Sequence, residues 1–322
     1  MNSFIQTVIF YRYKGADMYK IGFLILHYKV FDMTCQCIDS IYELEHPDIE
    51  LGIMVVDNNS GNGSGERLKE KYTQDNIEIM LLSESYGFSE GNNIGYEKMK
   101  KDNYDFIFVI NNDIIFEQKD ILIRLINAYE KKSFYIAGPD IYCPPRERHQ
   151  SPMELDVPIK EEVAKAIKAE KKKLKKLPFE TFLNKLYVAG SNTWLYRFYR
   201  KVYGDKHEEV LPEKAWREPS ENIVLQGAAF IVSKKFIDEA STLLTPITKF
   251  YHEELILTLR CRNNGWNNRY IPDMKVTHME SISSKTSNYY NNRKFRYVNF
   301  IESAEILLDY MIKIENGNVA KE

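Results

Sequence analysis

The sequence predicts an α/β fold in which a mostly parallel sheet carries helices on both faces. Between residues 20 and 142, apolar runs of strand length alternate with segments of helical periodicity, which is typical of such a doubly wound sheet. The strands are nearly continuous apolar runs, as expected where helices cover both faces. With 322 residues, of which 44% are hydrophobic, the chain can bury one large core or two smaller cores.

Five strands are predicted in this first part because each is a short apolar run bounded by polar or turn residues. In order, they are 20–29 (KIGFLILHYK), the run ELGIMVVD that ends at Asp57, 77–83 (IEIMLLS), 104–110 (YDFIFVI) and 134–142 (FYIAGPDIY). The segments between them are predicted to be helices because their apolar residues recur at helical spacing. These segments are 32–44, ERLKEKY, the segment that starts at Gly91, and 119–132.

Residues 144–221 differ in composition from the segments on either side. A polar, Pro-rich loop leads into a Lys-rich helix at 159–178, and a mixed aromatic and basic stretch follows. The strand–helix pattern returns at residue 222, with a helix at 251–266 and a strand at 268–280. We therefore divide the chain into a leader (1–19), a first α/β half (20–143), a helical insertion (144–221), a second α/β half (222–285) and C-terminal helices (286–322).

Composition and short motifs exclude several classes of function. The net charge of −2 argues against nucleic-acid binding by bulk electrostatics. Cys35 and Cys37 are too close for the usual zinc knuckle, so we expect all four cysteines to be free thiols in a reducing compartment. No apolar run reaches the ~18 residues that a membrane span needs, and the first residues lack the basic region of a signal peptide. These features favour a cytoplasmic protein.

Polar residues stand at the carboxyl ends of several predicted strands. In FIFVINNDIIF (106–116), two amides and a carboxylate, Asn111 to Asp113, interrupt an apolar run. Asp57 ends the neighbouring strand, the segment 83–93 follows the third, and His278 ends a later one. Ligands of parallel α/β sheets bind beyond these ends. The interruption therefore indicates the place where a strand leaves the core and meets a ligand.

The residue types at these ends suit a metal, a nucleotide and a proton transfer. Asp113 can bind a divalent cation with its phosphates, and His278 offers a nitrogen ligand. Asp57 can accept hydrogen bonds from a nucleobase. Glu253 and Glu254 open a helix, where the helix dipole favours anions. Each residue also has a purely structural interpretation. Asp113 would be a turn aspartate, Asp57 a turn cap and His278 a histidine at the edge of the core. Glu253 and Glu254 would form a solvated first helical turn.

The order of the motifs and their residues resemble those of the family 2 glycosyltransferases. The motifs are FLILHYK, VVDNNSG, SYGFSEGNNIG, FVINNDI, QGAAFIVSKKFI, FYHEELILTLRCRNNGW and YIPDMKVTHME. The likeness covers residues 20–145 and 222–285, and it is strongest to the rhamnosyl- and galactofuranosyl-transferase-like branch that builds bacterial surface polysaccharides. The resemblance implies a GT-A fold, a nucleotide-sugar donor bound by the first half, an acceptor and catalytic second half, a divalent metal (Mn²⁺ or Mg²⁺) and inversion at the anomeric carbon.

The resemblance also implies roles for single residues. Asp113, the last residue of the Asn-Asn-Asp variant of the Asp-x-Asp motif, and His278 match the metal site. Glu254 matches the catalytic base, and Glu253 matches the partner that supports the acceptor or its loop. The remaining matches are to the nucleotide-sugar site: Tyr28, Asp57, Asn59, Gly87, Phe88, Gly91, Asn92, Asn93, Asn111 and Asn112.

The implied reaction is sugar transfer from dTDP-rhamnose or a UDP-sugar to a glycan or lipid-linked saccharide during cell-surface polysaccharide synthesis. The lysines near the end of the Lys-rich helix, together with the stretch Trp194–Lys201, suit peripheral contact with anionic lipid at the inner face of the plasma membrane. The lysines are Lys171, Lys172, Lys173, Lys175 and Lys176. The alternative is a solvated helix that only keeps the protein soluble.

Two alternatives remain open at this point. A sugar-nucleotide pyrophosphorylase would carry a Gly-rich phosphate loop after its first strand, where this chain has HYKVFDMT. A catalytically degenerate transferase-like protein that serves as a binding partner or scaffold is favoured by two departures from the family pattern. Glu254 stands where the family usually has Asp, and Ile256 stands where it often has another Asp.

Overall fold

A single mixed sheet organises the protein. The computed structural model describes residues 18–189, 211–280 and 292–322, so most of the predicted leader, the stretch Trp194–Lys201 and residues 286–291 lie outside the described residues. The strands in the described part are β1 (Tyr19–His27), β2 (Ile49–Asp57), β3 (Ile77–Leu81), β4 (Phe106–Asn111), β5 (Ile114–Ile115), β6 (Ile136–Cys143), β7 (Arg148–His149), β8 (Ser220–Glu221), β9 (Ala229–Ser233) and β10 (Asn268–His278).

Helices alternate with these strands as the sequence predicts. They are α1 (Phe31–Tyr42), α2 (Ser64–Lys71), α3 (Gly87–Met99), α4 (Ile121–Lys131), α5 (Lys160–Ala189), α6 (Glu213–Arg217), α7 (Lys234–Glu239), α8 (Glu253–Asn264) and α9 (Arg293–Glu315). None of the helices in the described segments has the length and apolar character that a membrane crossing needs. All four cysteines are buried free thiols, as expected.

The strand order is β3-β2-β1-β4-β9-β6-β10-β5. The neighbours β3, β2, β1 and β4 are parallel, and β10 is parallel to β6. β9 enters antiparallel between β4 and β6. The insertion also contributes two short strands, because β7 pairs with β6 and β8 pairs with β10. The α/β prediction is confirmed, although the fourth and fifth predicted strands are not adjacent.

The polar interruption after β4 is a turn that reverses the chain. β4 runs through Asn111, one residue further than predicted, and the turn at Asn112 and Asp113 leads into β5. β5 pairs antiparallel with the end of β10, where Ile114 lies opposite His278. The resumed apolar run is therefore a strand that fixes Asp113 beside β10, because both isoleucines pair with β10 and Ile114 is fully buried.

Apolar side chains fill both faces of the sheet. On one face, Phe23 stacks on Phe108 with ring centroids 4.8 Å apart, and Phe116 meets both rings edge to face. On the other face, Tyr96 and Phe236 pack with Trp266. Burying such large rings removes much apolar area from water, at about 25 cal/mol for each Å². This rigid support fixes the carboxyl ends of the strands where the polar residues stand.

A third apolar cluster joins α5, α8 and α9. Leu255 and Ile256 of α8 pack against Ile301 and Leu307 of α9, and Val163 of α5 belongs to the same cluster. The first turn of α8 is therefore anchored from behind by a helix pair. The interior of this pair is apolar, whereas its outer faces carry charges.

Candidate functional site

A cleft with a volume of about 500 Å³ lies along the carboxyl ends of β1 and β4. Nine of the residues predicted for the site line it: Tyr28, Gly87, Phe88, Asn111, Asn112, Asp113, Glu253, Glu254 and His278. Asp57, Asn59, Gly91, Asn92 and Asn93 do not line it. The structure thus brings the predicted metal and acid–base residues into one cleft. Part of the set predicted to bind the nucleotide sugar lies outside the lining of that cleft.

Asp113 and His278 form a close pair in the cleft. His278 Nε2 lies 3.2 Å from Asp113 Oδ1, and both side chains are largely buried. The Met279 N–H donates to the Asp113 carbonyl at 3.0 Å, which extends the β5–β10 pairing and holds the pair in place. His278 Nδ1 lies 2.7 Å from Gln150 Oε1. The two residues that the sequence assigns to one metal site are therefore direct neighbours.

The ligand atoms that Asp113 and His278 offer suit a metal that also binds phosphate. Asp113 offers a hard carboxylate oxygen and His278 an imidazole nitrogen, and ions of this kind are commonly held by one or two protein ligands together with substrate phosphates. No cluster of three or more His, Cys, Asp or Glu ligands occurs within the described segments. The carboxylate and imidazole of this pair therefore fit an ion that takes its further ligands from substrate phosphates.

Asp57 is buried behind the cleft wall. Ser60 donates to it through its hydroxyl and its backbone N–H. Burial raises the pKa of Asp57, and the bonds from Ser60 oppose that rise. His27 lies opposite in the ladder, between Thr34 Oγ1 at 2.6 Å and Ser64 Oγ at 2.8 Å. Burial lowers the pKa of His27 to about 4, so this histidine is neutral near pH 7.

Asn58, which the sequence analysis did not select, lines the cleft next to Asp57. Its Oδ1 accepts from the Tyr86 N–H and its Nδ2 donates to the Gly87 carbonyl, both at 2.9 Å. Asn58 thereby fixes the loop that enters α3. Asn59, which was selected, is exposed and left-handed, with φ of 54°.

The glycine-rich start of α3 is needed for close packing. Gly87 has φ of 81°, and a Cβ there would lie 2.5 Å from the Lys249 carbonyl oxygen. The Phe88 N–H donates to that same oxygen at 2.9 Å. This contact ties α3 to the loop before α8, so the two sides of the cleft are joined.

The rest of the motif on α3 stabilises this junction. Gly91 lies against Leu26, where a Cβ would come within 2.8 Å of Leu26 Cδ1. Asn92 donates to the Phe88 carbonyl within its own helix. The Asn93 amide donates to the Leu244 carbonyl at 2.9 Å and accepts from the Leu244 N–H at 2.8 Å. These contacts give the three residues a structural role in addition to their predicted place in the donor site.

The segment before α8 has an unusual backbone. Tyr251 and His252 both lie in the left-handed region, with φ of 71° and 65°. Residues other than glycine seldom adopt this conformation, and it persists where surrounding structure enforces it, often at functional sites. Burial lowers the pKa of His252 to about 4, and its buried Nε2 has no hydrogen-bond partner. The turn delivers Glu253 and Glu254 into the cleft at the helix N-terminus.

The two glutamates have different surroundings. Burial, and then the charge of Glu254, raise the pKa of Glu253 well above its ordinary value, and Glu253 Oε2 is buried without a partner. Burial also raises the pKa of Glu254. Both residues are partly exposed and line the cleft. Each glutamate's own N–H opposes the rise of its pKa, and the Gly227 N–H does so in addition at Glu254. The Gly227 N–H is thus a donor that favours the ionised form of Glu254 and that Glu253 lacks.

Several cleft residues were not predicted. Arg146, Gln150 and Glu280 line one wall, and Gln226 and Lys249 line another part. Arg146 and Gln150 belong to the polar loop after β6, where no periodicity or motif marks an individual residue. For two of these residues the sequence carries a signal: Gln226 opens the motif QGAAFIVSKKFI, and Glu280 ends the motif YIPDMKVTHME.

Comparisons with known proteins give a family match and likenesses of fold. The family model for "Glycosyl transferase family 2" matches residues 23–203, more than half of the chain. No curated protein sequence matches. Residues 1–349 of TarS from S. aureus, in complex with UDP, share 9% identity over 91% of this chain and 71% of that one, with a TM-score of 0.51. The likeness is one of fold.

Two further structures give lower scores. The mannosyltransferase PcManGT from Pyrobaculum calidifontis, in complex with GDP-Man and Mn²⁺, shares 11% identity over 94% of this chain and 72% of that one, with a TM-score of 0.49. An alignment with the UDP-GlcNAc complex of TarS 1–349 has 14% identity and a TM-score of 0.34, and it spans 38% of this chain and 35% of that one. The GT-A architecture expected from the sequence, a curled sheet flanked by helices, is confirmed.

Proposed function

Because the chain belongs to the family 2 glycosyltransferases, we propose that it transfers a sugar from a nucleoside-diphosphate sugar to an acceptor hydroxyl, with inversion at the anomeric carbon. One observation supports this proposal most directly. A single cleft is lined by the Asp113–His278 pair, which suits a metal with its diphosphate, and by the Glu253–Glu254 pair, which suits proton removal. A direct displacement needs both capacities in one site.

Glu254 is the residue that we assign as the general base. Hydrogen bonds from the Gly227 and Glu254 N–H groups favour its ionised form. A hydroxyl group becomes an effective nucleophile when a positioned carboxylate accepts its proton, and Glu254 would take that proton as the acceptor oxygen attacks. Glu253 keeps its proton to higher pH. It would donate a hydrogen bond to the acceptor or hold the loop before α8.

Asp113 and His278 would hold Mn²⁺ or Mg²⁺ together with oxygens of the donor diphosphate. The nitrogen ligand favours Mn²⁺ over Mg²⁺. When bound, the ion supplies positive charge beside the diphosphate, on which negative charge accumulates as the sugar leaves. Asn111 and Asn112 stand next to this pair, and the Asn112 amide is fixed by a bond to Thr34 Oγ1 at 2.9 Å. They would shape the phosphate side of the cleft.

We extend the proposal to the substrates. The motifs shared with the rhamnosyl- and galactofuranosyl-transferase-like branch support dTDP-rhamnose or a UDP-sugar as donor, and a glycan or lipid-linked saccharide of cell-surface polysaccharide as acceptor. One solved structure of similar fold, TarS 1–349, holds UDP. Uridine and thymidine nucleotides are therefore the first probes to use.

A lipid-linked acceptor would require contact with a membrane surface. Among the exposed lysines of α5 are Lys165, Lys168, Lys172 and Lys175, whose positively charged ends can face anionic lipid. Two of the lysines chosen from the sequence are instead engaged on the protein, Lys171 with Glu305 and Lys173 with Glu170. We propose peripheral binding of α5 at the cytoplasmic face of the plasma membrane.

A thermal-shift screen tests the donor assignment. UDP, dTDP and GDP, and their sugars, are added with and without Mn²⁺, and the melting temperature is measured. A nucleotide at 100 times its Kd should stabilise the folded protein by about 2.7 kcal/mol, and Mn²⁺ should increase the shift. If no nucleotide shifts the transition at millimolar concentration, the proposed function is wrong.

Donor hydrolysis separates an enzyme from a scaffold. Glycosyltransferases can pass the sugar to water when no acceptor is present, so slow Mn²⁺-dependent release of the nucleoside diphosphate is expected from the stabilising donor. Binding without any release, with or without acceptor extracts, would favour the degenerate scaffold. A pyrophosphorylase would instead form the nucleotide sugar from a nucleoside triphosphate and a sugar phosphate.

A further inference from the structure

A chain of hydrogen-bonded side chains extends from the metal pair along one wall of the cleft. His278 Nε2 lies 3.2 Å from Asp113 Oδ1, and His278 Nδ1 lies 2.7 Å from Gln150 Oε1. Gln150 Nε2 donates to Glu280 Oε1 at 2.8 Å. Arg146 Nε donates to the other oxygen of Glu280 at 2.6 Å. Gln150 thus connects the metal pair with an ion pair.

The directions of these bonds follow from the chemistry of the groups. An ionised carboxylate only accepts hydrogen bonds, so Glu280 determines which end of the Gln150 amide faces it. The amide turns its NH₂ group toward Glu280, and its carbonyl oxygen then faces His278. Because that oxygen also only accepts, the ring hydrogen of His278 must stand on Nδ1.

This arrangement leaves Nε2 of a neutral His278 ring with its lone pair toward Asp113. Two acceptors 3.2 Å apart repel each other unless a cation or a proton lies with them. Histidine ligands of metals usually donate their other ring N–H to a fixed acceptor, which sets the tautomer and the ring orientation. Gln150 occupies the position of that acceptor.

The sheet holds Gln150 in this place. Its backbone N–H donates to the Ile141 carbonyl of β6 at 2.8 Å, directly after the short strand β7. β6 is the parallel neighbour of β10, the strand that ends at His278. Glu280 lies in the left-handed region, with φ of 40°. A strained residue of this kind is retained where its contacts enforce it.

We propose that Gln150 is a positioning residue that fixes the Nδ1–H tautomer of His278, and that Glu280, held by Arg146, orients the Gln150 amide. This inference rests on the proposed function, because it assumes that His278 binds a divalent metal. It adds three residues to the site: Arg146 and Gln150 lie outside the motifs, and Glu280 ends the motif YIPDMKVTHME. Their role is exerted through His278 and requires no contact with the donor.

The first experiment measures the tautomer itself in the metal-free protein. The ¹⁵N spectrum of the histidine side chains, with His278 assigned by comparison with His278→Gln, should show a protonated Nδ1 and an unprotonated Nε2. In Gln150→Leu, the signals should move toward a mixture of tautomers. Glu280→Gln, which keeps the size of the side chain but can also donate, should give a smaller change in the same direction. A wild-type spectrum dominated by Nε2–H would overturn the proposal.

The second experiment measures the Kd of Mn²⁺ by electron paramagnetic resonance, alone and with UDP. Loss of an outer-shell partner typically weakens metal binding by about 10- to 100-fold, and Gln150→Leu should fall in this range. Gln118→Leu is the matched control, because Gln118 also bonds through both ends of its amide, to Lys275 and Asp273, but outside the cleft. Its Kd should equal that of the wild type.

The outcomes separate this inference from the proposed function. If the wild type binds Mn²⁺ and Gln150→Leu binds it equally well, the positioning role is wrong while the transferase proposal stands. If the wild type binds no Mn²⁺ with or without UDP, the proposed metal site is wrong, and with it the role assigned to Gln150 in serving a metal. Thermal melting of each variant confirms that the comparison is made between folded proteins.

Discussion

Glu254 Oε1 lies so close to Gly227 that a Cβ on residue 227 would come within 2.7 Å of it. The Gly227 N–H also donates to the Glu254 carboxylate. A side chain at 227 would therefore displace the carboxylate that we assign as the base. Gly227→Ala should lower kcat by about 100-fold, the effect of a displacement of roughly 1 Å in a catalytic group, while the KM for the donor changes little.

Gly138→Ala is the matched control for this variant. A Cβ on Gly138 would meet Leu225 Cδ2 at the same 2.7 Å, but it would touch no carboxylate. This variant should lose stability in a melting experiment and keep its kcat when assayed well below its melting temperature. Equal losses of kcat in both variants would mean that crowding, and not the position of Glu254, limits the rate.

Removing the charge of each glutamate should distinguish their roles. Glu254→Gln should reduce the rate of transfer by about 10²- to 10⁴-fold, as is usual for a positioned general base, with nearly unchanged donor affinity. Glu253→Gln should cost less, because this residue already holds its proton to higher pH. Steady-state kinetics of both variants measure the two losses of transfer rate. A larger loss in Glu253→Gln than in Glu254→Gln would make Glu253 the base.

The raised pKa of Glu253 should also affect stability. In the folded protein this carboxyl holds its proton more tightly than in the unfolded chain. Its contribution to stability is therefore fully present below the ordinary glutamate pKa and is lost as the pH rises through the folded pKa. Glu253→Gln removes that loss, so the variant should melt at a higher temperature than the wild type at pH 8 and at a similar temperature at pH 4. A lower melting temperature at pH 8 would contradict this expectation.

The sequence was informative where chemistry and periodicity act locally. Continuous apolar runs predicted the strands, and the polar residues at their ends predicted Asp113 and His278 as ligands. Only the family resemblance placed the two residues at one site. No local pattern predicts their contact, because it depends on β5 pairing with the end of β10, two strands far apart in the chain. The position of β9 between β4 and β6 is likewise a choice of topology that no local pattern encodes.

Gln150 and Asn58 show the limit of sequence reasoning in the site. Each acts through hydrogen bonds to residues distant in the chain, Gln150 through His278 and Glu280, and Asn58 through the loop before α3. An amide in a polar loop has no distinguishing pattern. Conversely, Asn93 was selected for the donor, and its side chain bonds the backbone of Leu244. A motif can thus mark a residue without indicating which groups its side chain contacts.

The proposed metal site predicts a clear loss of function. Asp113→Ala removes the carboxylate of the pair and should abolish the additional thermal shift that Mn²⁺ gives with UDP or dTDP. The fold should survive, because Asp113 lies in a turn and its backbone bond to Met279 does not need the side chain. A ligand at 100 times its Kd stabilises by about 2.7 kcal/mol, so the missing shift is measurable. Normal turnover with normal Mn²⁺ dependence in this variant would refute the assignment.

The exposed lysines of α5 predict binding to anionic membranes. Each basic residue close to such a surface contributes about 1 kcal/mol, so Lys172→Glu combined with Lys175→Glu should reduce binding to phosphatidylserine vesicles by at least about tenfold. Lys101→Glu with Lys131→Glu is the control, because it changes the net charge equally at exposed lysines on α4 and the turn after α3. Flotation of the full chain at low and high salt provides the measurement. Wild-type protein that does not float at low salt, or equal losses in both double variants, would show that α5 is not the membrane-binding surface.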